Sequence, residues 1–411
     1  MLDCQKISRF IALKRKELGM TQAEIAEALG VTYQAVSKWE NGTIPNVEVL
    51  VELARVLNIS VDTLLNGGDR ISYQQANMDL AHFIALKEKI AAHITTDDSH
   101  LLSGPVAHTT LYDFQFPEIE SPVLVTNPSW SRSKCNLAVR YGYGESVGHD
   151  IVNDLVSNII ATGARPLFVT DCFVMGNDNA DVLLSVMKGI SDACKENGCS
   201  LAGGSTYIQS PSLLKDAYAI CANISGVVSR KQLIDGHAIC DGDVILAVAS
   251  NGPHSTGYTL INMLIDTNPL IKKELVAGEP FLEQVMKPHA SYYKALSPLL
   301  GRADIHGIVH HSRGRDHLRR ILPEGLCAEI YLNQVRPLPI FSYIKKMGNI
   351  TEKEMLSSYN CGMGMWIVAA KESASEIAAL VGKYYDCYPM GRIKAKDTET
   401  DSVVYKEAIN W

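Results

Sequence analysis

The feature that most constrains the fold is a change in hydrophobic periodicity along the chain. Up to residue 68, apolar residues recur at helical spacing. From PVLV at residue 122 onward, short apolar runs such as PLFVTDCFV and DVILAVAS alternate with amphipathic helical patterns. A purely helical block indicates an all-α unit, whereas alternating strands and helices indicate α/β or α+β architecture. The sequence therefore predicts an all-α head followed by an α/β (α+β) body.

Length and composition limit the classes of protein that this chain can belong to. Its 411 residues exceed what one compact core usually holds, so we expect more than one domain. No apolar run approaches the roughly 18 residues that cross a bilayer, so we expect no membrane partner and a cytoplasmic location. The ten cysteines lack C-x-x-C spacing, which favours reduced thiols over zinc ligands or disulfides.

The segment GMTQAEIAEALGVTYQAVSKWENG predicts two short helices joined by a tight turn. Thr21 and Glu24 have the spacing of a capping box at the start of the first helix. Gly30 is placed to make the turn, and Thr32 is placed to cap the second helix. Trp39 falls on the apolar side and is assigned to the core.

TQAEIAEALGVT, SKWENG and IPNVEVLVELARVLNIS occur in this order, and residues 1–68 resemble the XRE/Cro family of helix-turn-helix DNA-binding domains. The resemblance implies that residues 32–41 form a recognition helix in the major groove of a double-stranded DNA operator. The expected DNA-binding residues are Gln22, Thr32, Tyr33, Gln34, Ser37, Lys38 and Asn41. We assign Tyr33, Gln34 and Lys38 to base edges, and Gln22, Ser37 and Asn41 to phosphates. The alternative is a helical bundle that contacts proteins.

The head is not basic, which bears on how it would bind DNA. Residues 1–66 contain seven Lys and Arg against eight Asp and Glu, and the whole chain has a net charge of −7. One copy would therefore bind DNA weakly. We expect a homodimer that presents two heads about 34–36 Å apart.

The segments SVMKGISDACKENGCSLAGGST, LIDGHAICDGDVILAVASNGPHSTGYTL and GNITEKEMLSSYNCGMGM occur in order, and the body from about Ser72 resembles aminoimidazole ribonucleotide synthetase. That family is the phosphoribosylformylglycinamidine cyclo-ligase of purine synthesis. The resemblance implies two subdomains, residues 69–228 and 229–411. It also implies that the first subdomain pairs across a dimer to build a shared β-barrel.

The family reaction uses ATP and magnesium to activate an amide oxygen, which requires acidic residues at strand ends. Four places where the family has an acid carry other residues here: Ser129, Asn158, Ser205 and Ala219. We therefore predict a pseudoenzyme with no catalytic residues, no metal and no cofactor. One alternative is an active ATP-dependent cyclo-ligase-like enzyme with an appended DNA-binding domain. Another is a purely structural dimeriser with an empty pocket.

Three segments retain residues that could hold a ligand. Backbone N–H groups at a helix start, glycines and guanidinium groups all suit phosphates. The expected ligand-binding residues are Ser250, Asn251, Gly252, His254, Ser255, Thr256, Asn360, Gly362, Arg313, Arg315 and Asp150. The alternative for the first two segments is family architecture kept without a ligand. The leading hypothesis is a transcription regulator whose body dimerises and senses a phosphorylated metabolite or nucleotide effector.

Overall fold

The computed structural model describes most of the chain in two compact units, Met1–Met78 and Asp79–Trp411. The described residues are 3–68, 85–86, 88–91, 94, 97–103, 109–131, 133–177, 179–208, 217–312, 317–396 and 401–411. The predicted border at residue 68 adjoins residues outside these ranges, and the border near residue 228 falls inside the second unit. Both borders stay predictions.

The first unit is all-α, as predicted. Its helices are α1 (Cys4–Glu17), α2 (Gln22–Leu29), α3 (Tyr33–Glu40), α4 (Val47–Val56) and α5 (Val61–Leu65). The apolar side chains of the five helices share one core, which includes Ile7, Ile25, Val36, Trp39 and Leu53.

The turn between α2 and α3 follows the predicted local signals. Thr21 and Glu24 form the capping box, in which each side chain bonds the other residue's backbone N–H. Gly30 ends α2 in the left-handed conformation at φ 64°, which glycine adopts without strain. The Oγ1 of Thr32 accepts from the Ala35 N–H at 3.3 Å at the start of α3.

The body begins with a four-stranded sheet in the order β1-β4-β2-β3. Its strands are β1 (Pro122–Trp130), β2 (Arg165–Met175), β3 (Ser200–Ile208) and β4 (Tyr218–Ser229). β4 pairs antiparallel with both β1 and β2, while β2 and β3 are parallel. The connections contain α6 (Lys134–Arg140), α7 (Gly144–Ile160) and α8 (Ala180–Glu196).

Helix α7 is buried along most of its length because it packs between the sheet and α8. Glycine allows that contact: a Cβ at Gly148 would lie 2.3 Å from the Val186 carbonyl oxygen, and one at Gly189 would lie 2.1 Å from the Glu145 carbonyl oxygen. A buried helix held this closely can position polar side chains with little freedom.

The second sheet has six strands in the order β12-β9-β11-β5-β10-β8. They are β5 (Val244–Ala249), β8 (Ile305–His310), β9 (Leu326–Tyr331), β10 (Met363–Ala369), β11 (Cys387–Ala395) and β12 (Val403–Lys406). Five of them form antiparallel pairs, and β12 joins β9 in parallel. A two-stranded ribbon of β6 (Leu275–Val276) and β7 (Glu279–Pro280) lies outside this sheet.

Six α-helices accompany the second sheet within the described ranges. They are α9 (Tyr258–Thr267), α10 (Phe281–Met286), α11 (Tyr293–Leu296), α12 (Pro339–Met347), α13 (Glu352–Ser358) and α14 (Ala374–Val381). Helix α7 of the first sheet also contacts β8. Mixed sheets with interleaved helices confirm the predicted α/β (α+β) body. Across the described residues, none of the helices has the length and apolar character that a bilayer span requires.

Hydrogen bonds join α6 and α7 to the end of α10 and to the segment that follows it, and so connect the two sheets. Ser146 Oγ donates to the Met286 carbonyl at 2.6 Å, and Asn153 Nδ2 donates to the His289 carbonyl at 2.6 Å. Lys134 Nζ donates to the Lys287 carbonyl at 2.7 Å. These buried bonds fix the position of a cleft between the halves of the body.

Candidate active site and nucleic-acid interface

The N-terminal end of α3 presents most of the predicted DNA-reading residues to solvent. Tyr33 is 55% exposed, and Gln34 and Lys38 are also exposed. Trp39, on the opposite side, is only 7% exposed, which agrees with its assignment to the core. The geometry is therefore compatible with base contacts by α3.

Two of the predicted phosphate contacts also bond within the head. Gln22 Nε2 donates to Glu40 Oε2 at 2.6 Å, and Asn41 Nδ2 donates to the Ser37 carbonyl at 2.7 Å. A primary amide carries two N–H donors, so these bonds do not exclude phosphate contacts. The assignment of these residues to phosphates stays a prediction.

Glu40 is the centre of a polar junction among three helices. It accepts from Arg15 Nη2 at 3.0 Å as well as from Gln22. Burial would raise the pKa of Glu40, but the hydrogen bonds from Arg15 and Gln22 outweigh it, and the pKa lies below its ordinary value. The carboxylate therefore stays ionised at neutral pH.

In the body, a small cleft opens at the end of β1. Its lining includes Ser129, Lys134, Asp150, Asp154 and Ser255. Ser129 Oγ donates to Asp154 Oδ2 at 2.8 Å. Oxygen donors from the first sheet, from α7 and from the loop after β5 thus meet in one place.

Asp154 is not among the predicted site residues. It lies on α7 one helical turn after Asp150 and one turn before Asn158, so all three residues share a face. The i, i+4 spacing from Asp150 is the signal in the sequence that could have identified it. A carboxylate is therefore present close to the position where Asn158 replaces the family acid.

Lys134 and Asp150 form a buried ion pair beside this cleft. Lys134 Nζ lies 2.8 Å from Asp150 Oδ2, and the His289 backbone N–H donates to Asp150 Oδ1 at 2.7 Å. Burial lowers the pKa of Lys134 and raises the pKa of Asp150, while the attraction between them opposes both shifts. Asp150 is thus held by two partners.

Several predicted ligand-binding residues bond to each other. Ser250 Oγ and the Gly362 N–H both donate to Asn360 Oδ1, at 3.1 and 3.0 Å. Asn360 Nδ2 donates to the Gly252 carbonyl at 2.9 Å. Asn360 is fully buried, so this set joins two loops of the second sheet. The geometry supports the alternative of retained architecture for these residues, and their binding of a ligand stays a prediction.

Of the other residues in the loop before α9, two bond to backbone carbonyls of neighbouring segments and one lines the cleft. Asn251 Nδ2 donates to the Pro288 carbonyl at 2.9 Å, and Thr256 Oγ1 donates to the Ser312 carbonyl at 2.8 Å. Ser255 lines the cleft. Gly257 has φ 77°, and a Cβ there would lie 2.1 Å from the Tyr359 ring, so only glycine fits. Arg313 and Arg315 lie outside the described residues.

Three histidines are buried next to the cleft: His254, His289 and His310 are 1%, 1% and 5% exposed. His289 Nε2 lies 3.1 Å from His310 Nε2, and the rings of His254 and His289 stack with centroids 3.9 Å apart. Burial lowers the pKa of His254 and of His289, which keeps both imidazoles neutral at neutral pH. Asn158 Oδ1 accepts from His310 Nδ1 at 2.9 Å.

Comparison with known families assigns three regions of the chain. Residues 11–64 match the helix-turn-helix family HTH_3. Residues 132–228 match the N-terminal domain of AIR synthase related proteins, and residues 241–403 match their C-terminal domain. These matches confirm the resemblances inferred for the head and the body, and the first supports DNA binding.

Relatives and solved structures agree with these matches. The chain is 34% identical over 339 residues to a phosphoribosylformylglycinamidine cyclo-ligase from Methylobacillus flagellatus, covering 81% of this chain and 98% of the relative. It is 30% identical over 328 residues to the protein of that name from Bacillus cytotoxicus, covering 78% and 94%. Thiamine-monophosphate kinase from Stenotrophomonas maltophilia K279a shares the fold at 17% identity, with a TM-score of 0.56 and coverage of 79% and 96%.

The prediction that the body is a pseudoenzyme is wrong. The chain aligns with nearly the full length of relatives that are named as cyclo-ligases, and this favours the alternative of an active enzyme. The prediction relied on four replaced acids and overlooked Asp154, which supplies a carboxylate to the cleft from the same helix face as Asn158.

Proposed function

Because the chain belongs to the AIR synthase related family, we propose that its body is an ATP-dependent enzyme of the cyclo-ligase type and that its head binds DNA. The observation that carries the catalytic part is the 34% identity to a cyclo-ligase over 98% of that relative. The cleft between the halves of the body supplies the oxygen donors that this chemistry requires.

The cleft residues suit a magnesium–nucleotide complex. Mg²⁺ prefers hard oxygen ligands, mainly carboxylates, water and phosphate. Asp150 and Asp154 offer carboxylates there, and Ser129 and Ser255 offer hydroxyls. Asp154 is the first candidate for the ion, because Lys134 already neutralises Asp150. ATP, when bound, supplies the phosphoryl group that converts an amide oxygen into a leaving group.

The residues of the chain itself would position the reactants. Ser129 fixes the rotamer of Asp154 through its 2.8 Å hydrogen bond. Lys134 and the His289 backbone fix Asp150 from two directions. Carboxylates that are held in place need little reorganisation during the reaction. Such preorganisation is the main source of electrostatic catalysis.

Activity of the full-length protein tests this proposal. With ATP, Mg²⁺ and formylglycinamidine ribonucleotide, we expect ADP and aminoimidazole ribonucleotide to form in equal amounts. Asp154→Asn should lower kcat by at least about 100-fold, because it removes the carboxylate proposed to hold the Mg²⁺ that neutralises the reacting phosphates. Asp181→Asn changes an exposed acid at the start of α8 and should leave the rate unchanged. Equal rates for both variants, or no turnover by the wild type, would contradict the proposal.

We also propose that the head directs the chain to an operator, which makes the protein a DNA-binding transcription regulator. The supporting observation is the exposure of Tyr33, Gln34 and Lys38 on the helix that the XRE family uses for recognition. A phosphorylated substrate or product of the body is then the natural effector. DNA and such metabolites would meet the protein in the cytoplasm.

A homodimer would present two heads to a two-fold operator. The edge strand β1 exposes alternate residues, among them Leu124 and Trp130, which are 53% and 57% exposed. Tyr207 on β3 is 52% exposed in the same sheet. Exposed apolar side chains along an edge strand favour contact with a second copy of the sheet.

A further inference from the structure

Three distant segments bring imidazole rings together beside the cleft. His254 lies in the loop after β5, His289 follows α10, and His310 ends β8. One ring nitrogen from each histidine can be chosen so that the three atoms all lie within 4.8 Å of one another. All three side chains are buried, and His254 takes a left-handed backbone conformation at φ 59°. Buried imidazoles that converge in this way need a physical explanation.

Hydrogen bonds to the outer nitrogens fix the tautomers of two of the rings. His289 Nδ1 lies 2.8 Å from the Ala290 carbonyl oxygen, which can only accept, so this nitrogen carries the hydrogen. His310 Nδ1 lies 2.9 Å from Asn158 Oδ1. The Nδ2 of Asn158 donates to Asn127 Oδ1 at 3.2 Å, which orients the Asn158 oxygen toward His310.

An imidazole that carries its single N–H on Nδ1 has a lone pair on Nε2. The Nε2 atoms of the two rings face each other at 3.1 Å. Two lone pairs at that distance repel unless a proton or a metal ion lies between them. A carbonyl or carboxamide acceptor on the far nitrogen is the arrangement that metal-binding histidines use to direct the other nitrogen at the ion.

His254 provides an independent observation. Neither of its ring nitrogens has a hydrogen-bond partner among the described residues, although the side chain is 1% exposed. Buried polar atoms are nearly always paired, because an unpaired one has lost its hydrogen bonds to water without replacement. The ring is stacked on His289, next to the pair of facing Nε2 atoms.

We propose that His254, His289 and His310 form a three-histidine binding site for a Zn²⁺-type transition-metal ion. Zinc–nitrogen bonds of 2.0–2.1 Å in a tetrahedron place ligand nitrogens about 3.3 Å apart, close to the spacing of His289 and His310. Imidazole ligands suit Zn²⁺, Cu²⁺ or Ni²⁺, whereas Mg²⁺ takes oxygen ligands. The site is therefore distinct in chemistry from a magnesium–nucleotide site.

The surrounding charges fit a divalent cation. Asp150 and Asp154 lie one turn apart on α7, and Lys134 neutralises one of them. The His289 backbone N–H donates to Asp150, which connects the histidines to these acids. Three protein ligands leave a fourth position for water or a substrate oxygen, as in catalytic zinc sites.

Metal content of the full-length protein tests the proposal without reference to activity, so its outcome is separate from that of the cyclo-ligase assay. After removal of metal, the protein is titrated with Zn²⁺ alone and in the presence of excess Mg²⁺. We expect one Zn²⁺ per chain in both cases. His254→Gln, His289→Gln and His310→Gln should each lose that ion, and Asn158→Ala should weaken its binding about 10–100-fold.

Two controls separate this site from other zinc ligands. His237→Gln removes a surface histidine whose side chain is 90% exposed. Cys240→Ser disrupts the other group of potential ligands in the described residues, Cys240, Asp243 and His306. Both variants should keep one Zn²⁺ per chain. Loss of the ion in Cys240→Ser, or retention in all three glutamine variants, would overturn the proposal.

Circular dichroism would reveal whether a variant fails to fold. In that case, cobalt substitution of the wild-type protein tests the site without any variant. Co²⁺ in a three-imidazole site should give tetrahedral d–d absorption bands and no thiolate-to-cobalt charge transfer. Thiolate bands, octahedral spectra, or no bound Co²⁺ and Zn²⁺ would each contradict the assignment.

Discussion

Lys134 and Asp150 form an ion pair of 2.8 Å in which the side chains are only 2% and 7% exposed. Lys134 also donates to the Lys287 carbonyl, and Asp150 also accepts from the His289 N–H. One pair thus connects the start of α6 with α7 and with the segment that follows α10.

Removal of one member of this pair should strongly destabilise the body. Lys134→Met leaves a buried carboxylate without its cation, and such losses cost about 3–5 kcal/mol. Lys231→Met disrupts a surface pair with Glu120, exposed by 73% and 69%, and should cost less than about 1 kcal/mol. Urea denaturation followed by circular dichroism measures both. Equal free energies of unfolding for the two variants would show that the buried pair contributes no more than the exposed one.

The stability of the body should depend on Asp171, which lies buried within β2. Burial raises the pKa of this carboxyl to about 7. Between pH 4 and pH 7 the unfolded chain loses the proton while the folded chain retains it, so stability falls as pH rises and the full penalty is present above pH 7.

Asp171→Asn should remove that penalty. The free energy of unfolding of the variant, relative to that of the wild type, should therefore increase from pH 4 to pH 7. The increase should be about 4 kcal/mol at most, because each unit by which the pKa is raised corresponds to about 1.4 kcal/mol. Urea denaturation at several pH values measures it, and Asp181→Asn serves as the exposed control. A constant difference across this range would disprove the assignment.

Substitutions in the head should distinguish a residue that reads bases from a residue that contacts phosphates. Gln34→Ala should weaken binding to a selected operator by about 1–3 kcal/mol and leave binding to random DNA unchanged. Gln22→Ala should weaken both alike, because phosphates carry no sequence information. Fluorescence anisotropy with both duplexes at fixed salt measures the four affinities. If Gln34→Ala and Gln22→Ala lose equal affinity for random DNA, the assignment of Gln34 to base reading is wrong.

Dimerisation should depend on the exposed side chains of β1. Leu124→Asp places a charge among apolar residues of the edge strand and should shift sedimentation velocity from dimer to monomer. Leu270→Asp changes a side chain that is 75% exposed in a 3₁₀ turn far along the chain, and should leave the oligomeric state unchanged. A monomeric wild type would contradict the expectation directly.

The head could be predicted from sequence because its signals are local. The capping box of Thr21 and Glu24, the turn at Gly30 and the core position of Trp39 each depend on neighbours a few residues away. The element pattern of the body was predictable for the same reason.

The candidate site was only partly predictable, because its contacts join residues far apart in the chain. Asn158 was interpreted as a lost acid, whereas in the structure its carboxamide orients His310. His289 follows no motif, and only the folded chain brings it to His310. Asn360 and Gly362 carry the glycine-loop pattern of a ligand site, but their bonds connect two loops. A residue-by-residue comparison with a family motif does not reveal contacts of this kind, because they form only in the folded chain.

The junction at Glu40 has a consequence for sequence variation in the head. One carboxylate satisfies Arg15 on α1 and Gln22 on α2 while it belongs to α3. A substitution at residue 40 alone would leave the Arg15 guanidinium with its bond to the Met20 carbonyl but without a carboxylate, and would remove this partner from the Gln22 amide. Among homologous heads, positions 15, 22 and 40 should therefore change in concert, and such correlated exchange would preserve the packing of α3 against α1 and α2.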